Sequence, residues 1–203
     1  MRNRMHWLAP AVLGLSLLAV GCAQPPKDQM DSAKQAMSAA QEAGAPEYAP
    51  DAWDKAQKAM NAAQAEVDAQ NAKFALFRSY KNAKDLLSQA TTAANDAKTA
   101  GEAAKKKAQA DAQTALDAVK GSLAQADSLM AQLEKCRRKP KGFAQDMEQL
   151  SGTLDGLKKQ SADAESAMSS GNYNKAKSQA ESLKTQADSL VTDLTTAKNK
   201  IHC

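Results

Sequence analysis

Apolar residues recur at alternating steps of three and four along most of the chain, which is the spacing of one face of an α-helix. The clearest run comprises Tyr173, Ala176, Ala180, Leu183, Ala187, Leu190, Leu194, Ala197 and Ile201. The segment before it repeats the spacing with Phe143, Met147, Leu150, Leu154, Leu157, Ser161, Ala164 and Met168. Gly171 between them supplies a left-handed stop, and Ser170 or Asn172 a helix cap. The pattern predicts an antiparallel pair of helices over residues 143–169 and 173–201.

A longer run of the same kind lies upstream, and no proline interrupts it before Pro140. Its apolar face consists of Leu76, Tyr80, Ala83, Leu87, Ala90, Ala94, Ala97, Ala104, Ala108, Ala112, Ala115, Val119, Leu123, Ala126, Met130 and Leu133. Gly101 and Gly121 each cost about 1 kcal/mol relative to alanine but do not end a helix. We therefore expect one helix over residues 73–137, on the order of 95 Å long. Whether it is straight or bent at Gly101 is left open by the pattern.

Two shorter helices are predicted at residues 28–43 and 51–69, joined by a turn that contains Gly44 and two prolines. Their inward positions are Met30, Ala33, Met37 and Ala40 in the first helix and Trp53, Ala56, Met60, Ala63 and Val67 in the second. A shift of phase at residues 70–72 predicts a tight turn before the long helix. The predicted fold class is all-α: an elongated antiparallel helical bundle or coiled-coil rod with one long central helix.

Composition argues against several classes of function. The 27 Lys and Arg residues less Arg2 and Arg4 leave 25 against 23 Asp and Glu, a formal charge of +2, and aromatic residues make up only 4%. This balance argues against a nucleic-acid partner. His6 and His202 are the two histidines, and no Cys-x-x-Cys, phosphate-binding loop or His-Glu-x-x-His motif occurs. We expect no enzyme activity, no catalytic residues and no metal site.

The N-terminal residues have the three parts of an export signal. Two arginines lie within the first four residues, an apolar stretch covers residues 8–20, and Gly21 precedes Cys22. The stretch is shorter than the roughly 20 apolar residues of a membrane span. The Gly-Cys pair resembles the lipobox of bacterial lipoproteins, whose cysteine receives diacylglycerol before the signal is removed. Ala19 stands where that family favours leucine.

The lipobox resemblance implies a signal peptide over residues 1–21, a covalent lipid on Cys22 with no other cofactor, and a lipidated tether over residues 22–27. Ala23 stands where an aspartate would favour the inner membrane in enterobacterial lipoproteins. The resemblance therefore implies a cell-envelope protein anchored in the inner leaflet of the outer membrane and facing the periplasm. The alternatives are an uncut membrane anchor and an ordinary secreted protein with an unrelated cysteine.

A second resemblance covers residues 28–108. The sequence AGAPEYAP at residues 43–50, followed by Ala-Trp-Asp-Lys-Ala, resembles a family of bacterial envelope lipoproteins. Members carry an alanine-rich, TPR-like helical hairpin domain of unknown function with an A-G-A-x-x-Y-A-P turn. Many have Gly-Asp-Tyr at the next turn, where this chain has Asn-Ala-Lys-Phe at residues 71–74. The resemblance implies a TPR-like domain over residues 28–108, followed by a C-terminal antiparallel helical bundle over residues 109–203.

Cys136 and Cys203 remain once Cys22 is lipidated. The two C-terminal helices have nearly equal lengths, about 40 Å each, so the end of the chain returns to the level of Cys136. In an oxidising compartment this geometry predicts a disulfide, which contributes about 4 kcal/mol in the chain-entropy model. The alternatives are two free thiols, or a metal site with His202 that needs further ligands.

The turn after the long helix is strongly basic, with Lys135, Arg137, Arg138, Lys139 and Lys141. Basic residues at a helix C terminus complement the helix dipole. Together they also form a cationic tip suited to a partner that bears carboxylates or phosphates.

Two hypotheses of function follow. The first is a non-catalytic outer-membrane lipoprotein that serves as a periplasmic spacer or docking scaffold and contacts an envelope protein or peptidoglycan through the tip. The second is a TPR-like peptide- or protein-binding module of an envelope transport or secretion assembly, which implies contacts along Tyr48, Trp53 and Phe77. The sequence leaves the partner's identity and the oligomeric state open.

Overall fold

The computed structural model describes residues 24–137 and 139–201. The described chain folds into six α-helices and confirms the predicted all-α bundle with one long central helix. The helices are α1 (Lys27–Glu42), α2 (Ala45–Tyr48), α3 (Pro50–Asn71), α4 (Lys81–Glu134), α5 (Phe143–Ser169) and α6 (Tyr173–Lys200), and a 3₁₀ turn (Ala75–Phe77) lies between α3 and α4.

Helix α4 is the axis on which the other helices pack. Its 54 residues span about 80 Å at 1.5 Å per residue. Helices α1, α2 and α3 cover its first part, around a core that includes Met30, Ala33, Ala63, Val67, Tyr80, Ala83 and Leu87. Helices α5 and α6 cover its second part, around a core that includes Leu116, Val119, Leu123, Leu133, Leu154, Leu183 and Leu194. The molecule is therefore a rod made of two helical portions that share α4: α1, α2 and α3 pack on its first part, and α5 and α6 pack on its second part.

Polar contacts fix the register of the second portion. Lys177 donates to Asp111 at 3.2 Å, Ser122 to Asp188 at 2.6 Å, and Lys198 to Gln132 at 2.6 Å. Each pair is separated by 66 positions, so α6 runs parallel to α4 with one constant offset. Helix α5 runs antiparallel to both.

The bounds of α5 and α6 agree with the prediction to within one residue. Gly171 has a φ of +79°, the left-handed conformation expected at this stop, and the amide of Asn172 donates to the carbonyl of Ala167 at 2.9 Å.

The predicted start of the long helix at residue 73 is wrong. Helix α3 continues to Asn71, and residues 72–80 form an irregular connection before α4 begins at Lys81. The helix also ends at Glu134 rather than at residue 137, so its length is about 80 Å. The guanidinium of Arg78 donates to the carbonyls of Lys73 and Asn71, and Oε1 of Gln70 accepts from the amide of Ser79. These hydrogen bonds stabilise the non-helical path.

Helix α4 is continuous through Gly101, where α2 packs directly on it. A Cβ atom on Gly101 would lie 2.9 Å from both the Cα and the backbone nitrogen of Ala45. The glycine therefore permits close approach of two backbones, which the sequence pattern did not predict. The short helix α2 was likewise not predicted.

Candidate functional site

The basic turn and the end of α6 lie together at one tip of the rod. Helix α4 ends at Glu134 and α5 begins at Phe143, so residues 135–142 connect them. Leu133, Phe143 and Ile201 belong to the same hydrophobic cluster, which brings three helix ends to this level.

The basic side chains at the tip are open to solvent. Lys135, Arg137, Lys139 and Lys141 are all exposed, and Arg138 lies outside the described residues. The ammonium of Lys139 lies 5.8 Å from the centroid of the Phe143 ring, at the reach of a cation–π contact. The structure thus places these positive charges on a surface available to an anionic group.

An open groove of about 340 Å³ lies beside the basic turn. Its apolar wall comprises Pro140, Phe143, Met147, Leu150, Ala197 and Ile201, and its polar residues are Asp146, Asp193, Thr196 and Lys200. The groove exists because α5 and α6 present their terminal apolar residues here, close to where α4 ends. The sequence did not predict it, although the helical spacing already placed Phe143 and Ile201 on apolar faces.

Cys136 is buried directly after the end of α4, and its Sγ lies 3.2 Å from the carbonyl oxygen of Gln132. Its predicted partner, Cys203, lies outside the described residues, as does His202. The disulfide therefore stays a prediction.

Tyr48 and Trp53 lie far from the tip, where the two portions of the rod meet. The hydroxyl of Tyr48 donates to the carbonyl of Gly171 at 3.1 Å, and its ring centroid lies 6.4 Å from that of Tyr173. Burial, and after it the charge of Glu47, raises the pKa of Tyr48. Trp53 is half-buried against an alanine cluster. Both side chains are therefore engaged in contacts within the chain.

Phe77 is separated from the other two aromatic residues. It lies in the connection after α3, whereas Trp53 lies in the first turns of the same helix. The rise of α3 alone puts them on the order of 27 Å apart. The structure does not bring the three predicted contact residues onto one face.

Ionisable side chains with displaced pKa values link α4 to α5 and α6. Hydrogen bonds from Lys107 and then Lys177 hold the pKa of Asp111 below its ordinary value of 3.8. A hydrogen bond to Glu165 raises the pKa of Lys120. These exposed pairs set register between helices rather than forming a buried reactive centre.

Within residues 24–137 and 139–201, no group of three or more His, Cys, Asp or Glu residues is arranged to hold a metal ion. None of the helices described is both long and apolar enough to cross a membrane. Comparisons of this chain with protein-family models, with curated proteins and with solved structures found no match.

Proposed function

We propose that the protein is a non-catalytic lipoprotein spacer or docking scaffold, anchored through Cys22 in the inner leaflet of the outer membrane and reaching into the periplasm. The observation that carries the proposal is that the start of α1 and the basic turn lie at opposite ends of α4. Helix α1 begins at Lys27, beside the start of α4, and the basic turn follows the other end of α4. An anchor at one end would hold the cationic tip about 80 Å away.

The internal contacts of Tyr48 and Trp53 favour the spacer over the TPR-like binding module. Tyr48 bonds Gly171 and packs beside Tyr173, and Trp53 packs on alanines of its own portion. A peptide that used these side chains would have to displace existing contacts. The tip residues need no such rearrangement, because they already face solvent.

We also propose that Cys136 and Cys203 form a disulfide across the tip. The offset of 66 positions between α4 and α6 brings Lys200, the last residue of α6, level with Glu134, the last residue of α4. Cys136 follows the first of these ends by two residues and Cys203 follows the second by three, which supports the pairing. Such a bond would close a long loop and join the end of α6 to the end of α4.

A photo-crosslinking amino acid tests where the partner binds. It is introduced in intact cells at Lys139 in the tip, at Trp53, and at Lys106, an exposed control on the middle of α4. We expect wall fragments or one protein to be captured at Lys139 alone. Capture at Trp53 alone would support the TPR-like module, and equal capture at all three positions would contradict a specific tip.

Incorporation of a labelled fatty acid tests the anchor separately. We expect the chain to carry the label and to fractionate with membranes, and Cys22→Ser to lose both properties. The matched control is Cys136→Ser, which keeps Cys22 and should keep the label. A chain that stays with membranes after Cys22→Ser has an uncut anchor, and an unlabelled chain released from cells is an ordinary secreted protein; either result would contradict the proposal.

A further inference from the structure

The end of the rod opposite the tip carries an exposed apolar cluster. The large apolar side chains that stand out to solvent in the described residues are Phe74, Leu76 and Phe77, which are 70%, 65% and 76% exposed. All three lie in residues 72–80, here named the aromatic loop. The ring centroids of Phe74 and Phe77 lie 6.3 Å apart. The other large apolar side chains of residues 24–137 and 139–201 are buried or half-buried. Exposed apolar side chains grouped in this way mark an interaction site.

The aromatic loop is held in its conformation by side-chain hydrogen bonds. The guanidinium of Arg78 donates to the carbonyls of Lys73 and Asn71, both at 2.9 Å. The amide of Ser79 donates to Oε1 of the buried Gln70 at 3.1 Å. Because these hydrogen bonds hold the backbone of the loop in place, the fold itself keeps the apolar side chains of the loop exposed.

The aromatic loop is also basic. The loop itself contains Lys73 and Arg78 and no aspartate or glutamate, and the first residues of α4 add Lys81, Lys84 and Asp85. Asp28 lies in the first turn of α1, and Asp68 lies in the last turn of α3. Apolar and aromatic side chains flanked by lysine and arginine are the composition of segments that bind at the interface of a bilayer with anionic headgroups.

The chain that leads to Cys22 emerges at this same end of the rod. Pro26 is buried, and Pro25, Pro26 and Asn71 line one shallow groove. Four peptide steps separate Cys22 from Pro26, which span at most about 14 Å when fully extended. An anchor at Cys22 therefore keeps the bilayer within reach of the aromatic loop. An uncut N-terminal anchor would bring the bilayer to the same end of the rod.

We propose that the aromatic loop is a second membrane contact, which inserts Phe74, Leu76 and Phe77 into the interfacial layer of a bilayer that contains anionic lipid. The inference rests on the proposed function for the presence of a membrane at this end. A single lipidated tether lets a rod adopt many angles to the membrane, whereas two adjacent contacts at the same end of the rod restrict those angles. The loop thereby directs the long axis, and the tip with it, away from the bilayer.

Vesicle binding by the chain that begins at Gln24 tests the inference without any lipid modification. This chain retains every buried residue that the structure describes, so it retains the packing of the fold. The probes are vesicles of phosphatidylcholine with phosphatidylglycerol and vesicles of phosphatidylcholine alone. We expect preferential binding to the anionic vesicles. Replacement of Phe74, Leu76 and Phe77 by serine should reduce that binding at least about tenfold, with the far-ultraviolet circular dichroism unchanged.

A tryptophan placed in the loop reports insertion directly. In a Trp53→Phe background, Phe77→Trp should show a blue-shifted emission when anionic vesicles are added, and Lys139→Trp at the tip should show none. Absence of binding, an unshifted Phe77→Trp emission or a serine variant that binds normally would overturn the proposal and assign the loop to a protein partner. Equal binding to both kinds of vesicle would overturn the role of anionic lipid. Because this chain lacks Cys22, these outcomes are independent of the acylation experiment.

Discussion

Two glycines of α4 allow the same substitution to be tested in opposite environments. A Cβ atom on Gly101 would lie 2.9 Å from the Cα and the nitrogen of Ala45, whereas one on Gly121 would meet nothing within 4 Å. Both glycines lie inside one continuous helix. Gly101→Ala and Gly121→Ala therefore share the change in helix propensity and differ in the packing that the new methyl group meets.

The magnitudes follow from these two contributions. Alanine is about 1 kcal/mol more favourable than glycine in the interior of a helix, so Gly121→Ala should raise the free energy of unfolding by up to that amount. At Gly101 the new methyl group meets backbone atoms, which cannot rotate away, and overpacking of this kind costs about 1–3 kcal/mol. We expect Gly101→Ala to be less stable than Gly121→Ala by about 1–3 kcal/mol.

Thermal unfolding followed by the helical circular dichroism signal measures this difference. For a chain of this size, each kcal/mol shifts the Tm by roughly 2–4 °C, so the two variants should differ by roughly 2–12 °C. Gly101→Leu extends the series and should lower the Tm further. Equal stabilisation by both alanine variants would show that α2 does not pack on α4 as described, and the argument for the close backbone contact would fail.

The remaining predictions concern the core, the ion pairs and the tip. Leu194→Ala should lower the free energy of unfolding by about 2–5 kcal/mol, whereas Leu76→Ala, on an exposed side chain, should change it by less than about 0.5 kcal/mol; denaturant titration distinguishes them. Because the folded pKa of Asp111 lies below its ordinary value of 3.8, its ion pairs stabilise the fold above that pH and are lost as the pH falls through the folded pKa; Asp111→Asn should show the weaker loss of Tm on acidification. A reductant should lower the free energy of unfolding of the wild-type sequence by about 2–5 kcal/mol and leave that of Cys136→Ser unchanged. An equal change in the two would contradict the disulfide.

Helical spacing predicted the bundle well where the stop signals are strong. Gly171 breaks the chain between two long apolar faces, and α5 and α6 begin and end within one residue of the prediction. Spacing failed at the start of α4, because Leu76 and Tyr80 continue the steps of Ala83 and Leu87. The same spacing is compatible with a helix and with a connection in which Tyr80 is buried and Leu76 is exposed. The side chains of Gln70 and Arg78 form the hydrogen bonds that favour the second conformation. Because both side chains are polar, an apolar pattern does not identify them.

The sequence predicted only part of the candidate sites. The basic turn was predicted because its charges are contiguous in the chain. The groove beside it depends on where α4, α5 and α6 end relative to one another, which is a property of packing rather than of any one segment. The separation of Phe77 from Trp53 was missed for a related reason, since the resemblance to a TPR-like turn does not specify the connection after α3.

The connection at residues 72–80, where the predicted start of α4 is wrong, also carries the exposed large apolar side chains of the described residues. A sequence selected only for a stable rod would continue α4 back to residue 73 or close the turn with small polar residues. This chain instead uses Arg78 and Gln70 to fix a connection that displays Phe74 and Phe77 at the end from which the tether leaves. Exposing two aromatic rings to water is unfavourable unless a partner covers them. The membrane that an N-terminal anchor would bring to this end is the partner that the position, the apolar cluster and the surrounding positive charge together favour.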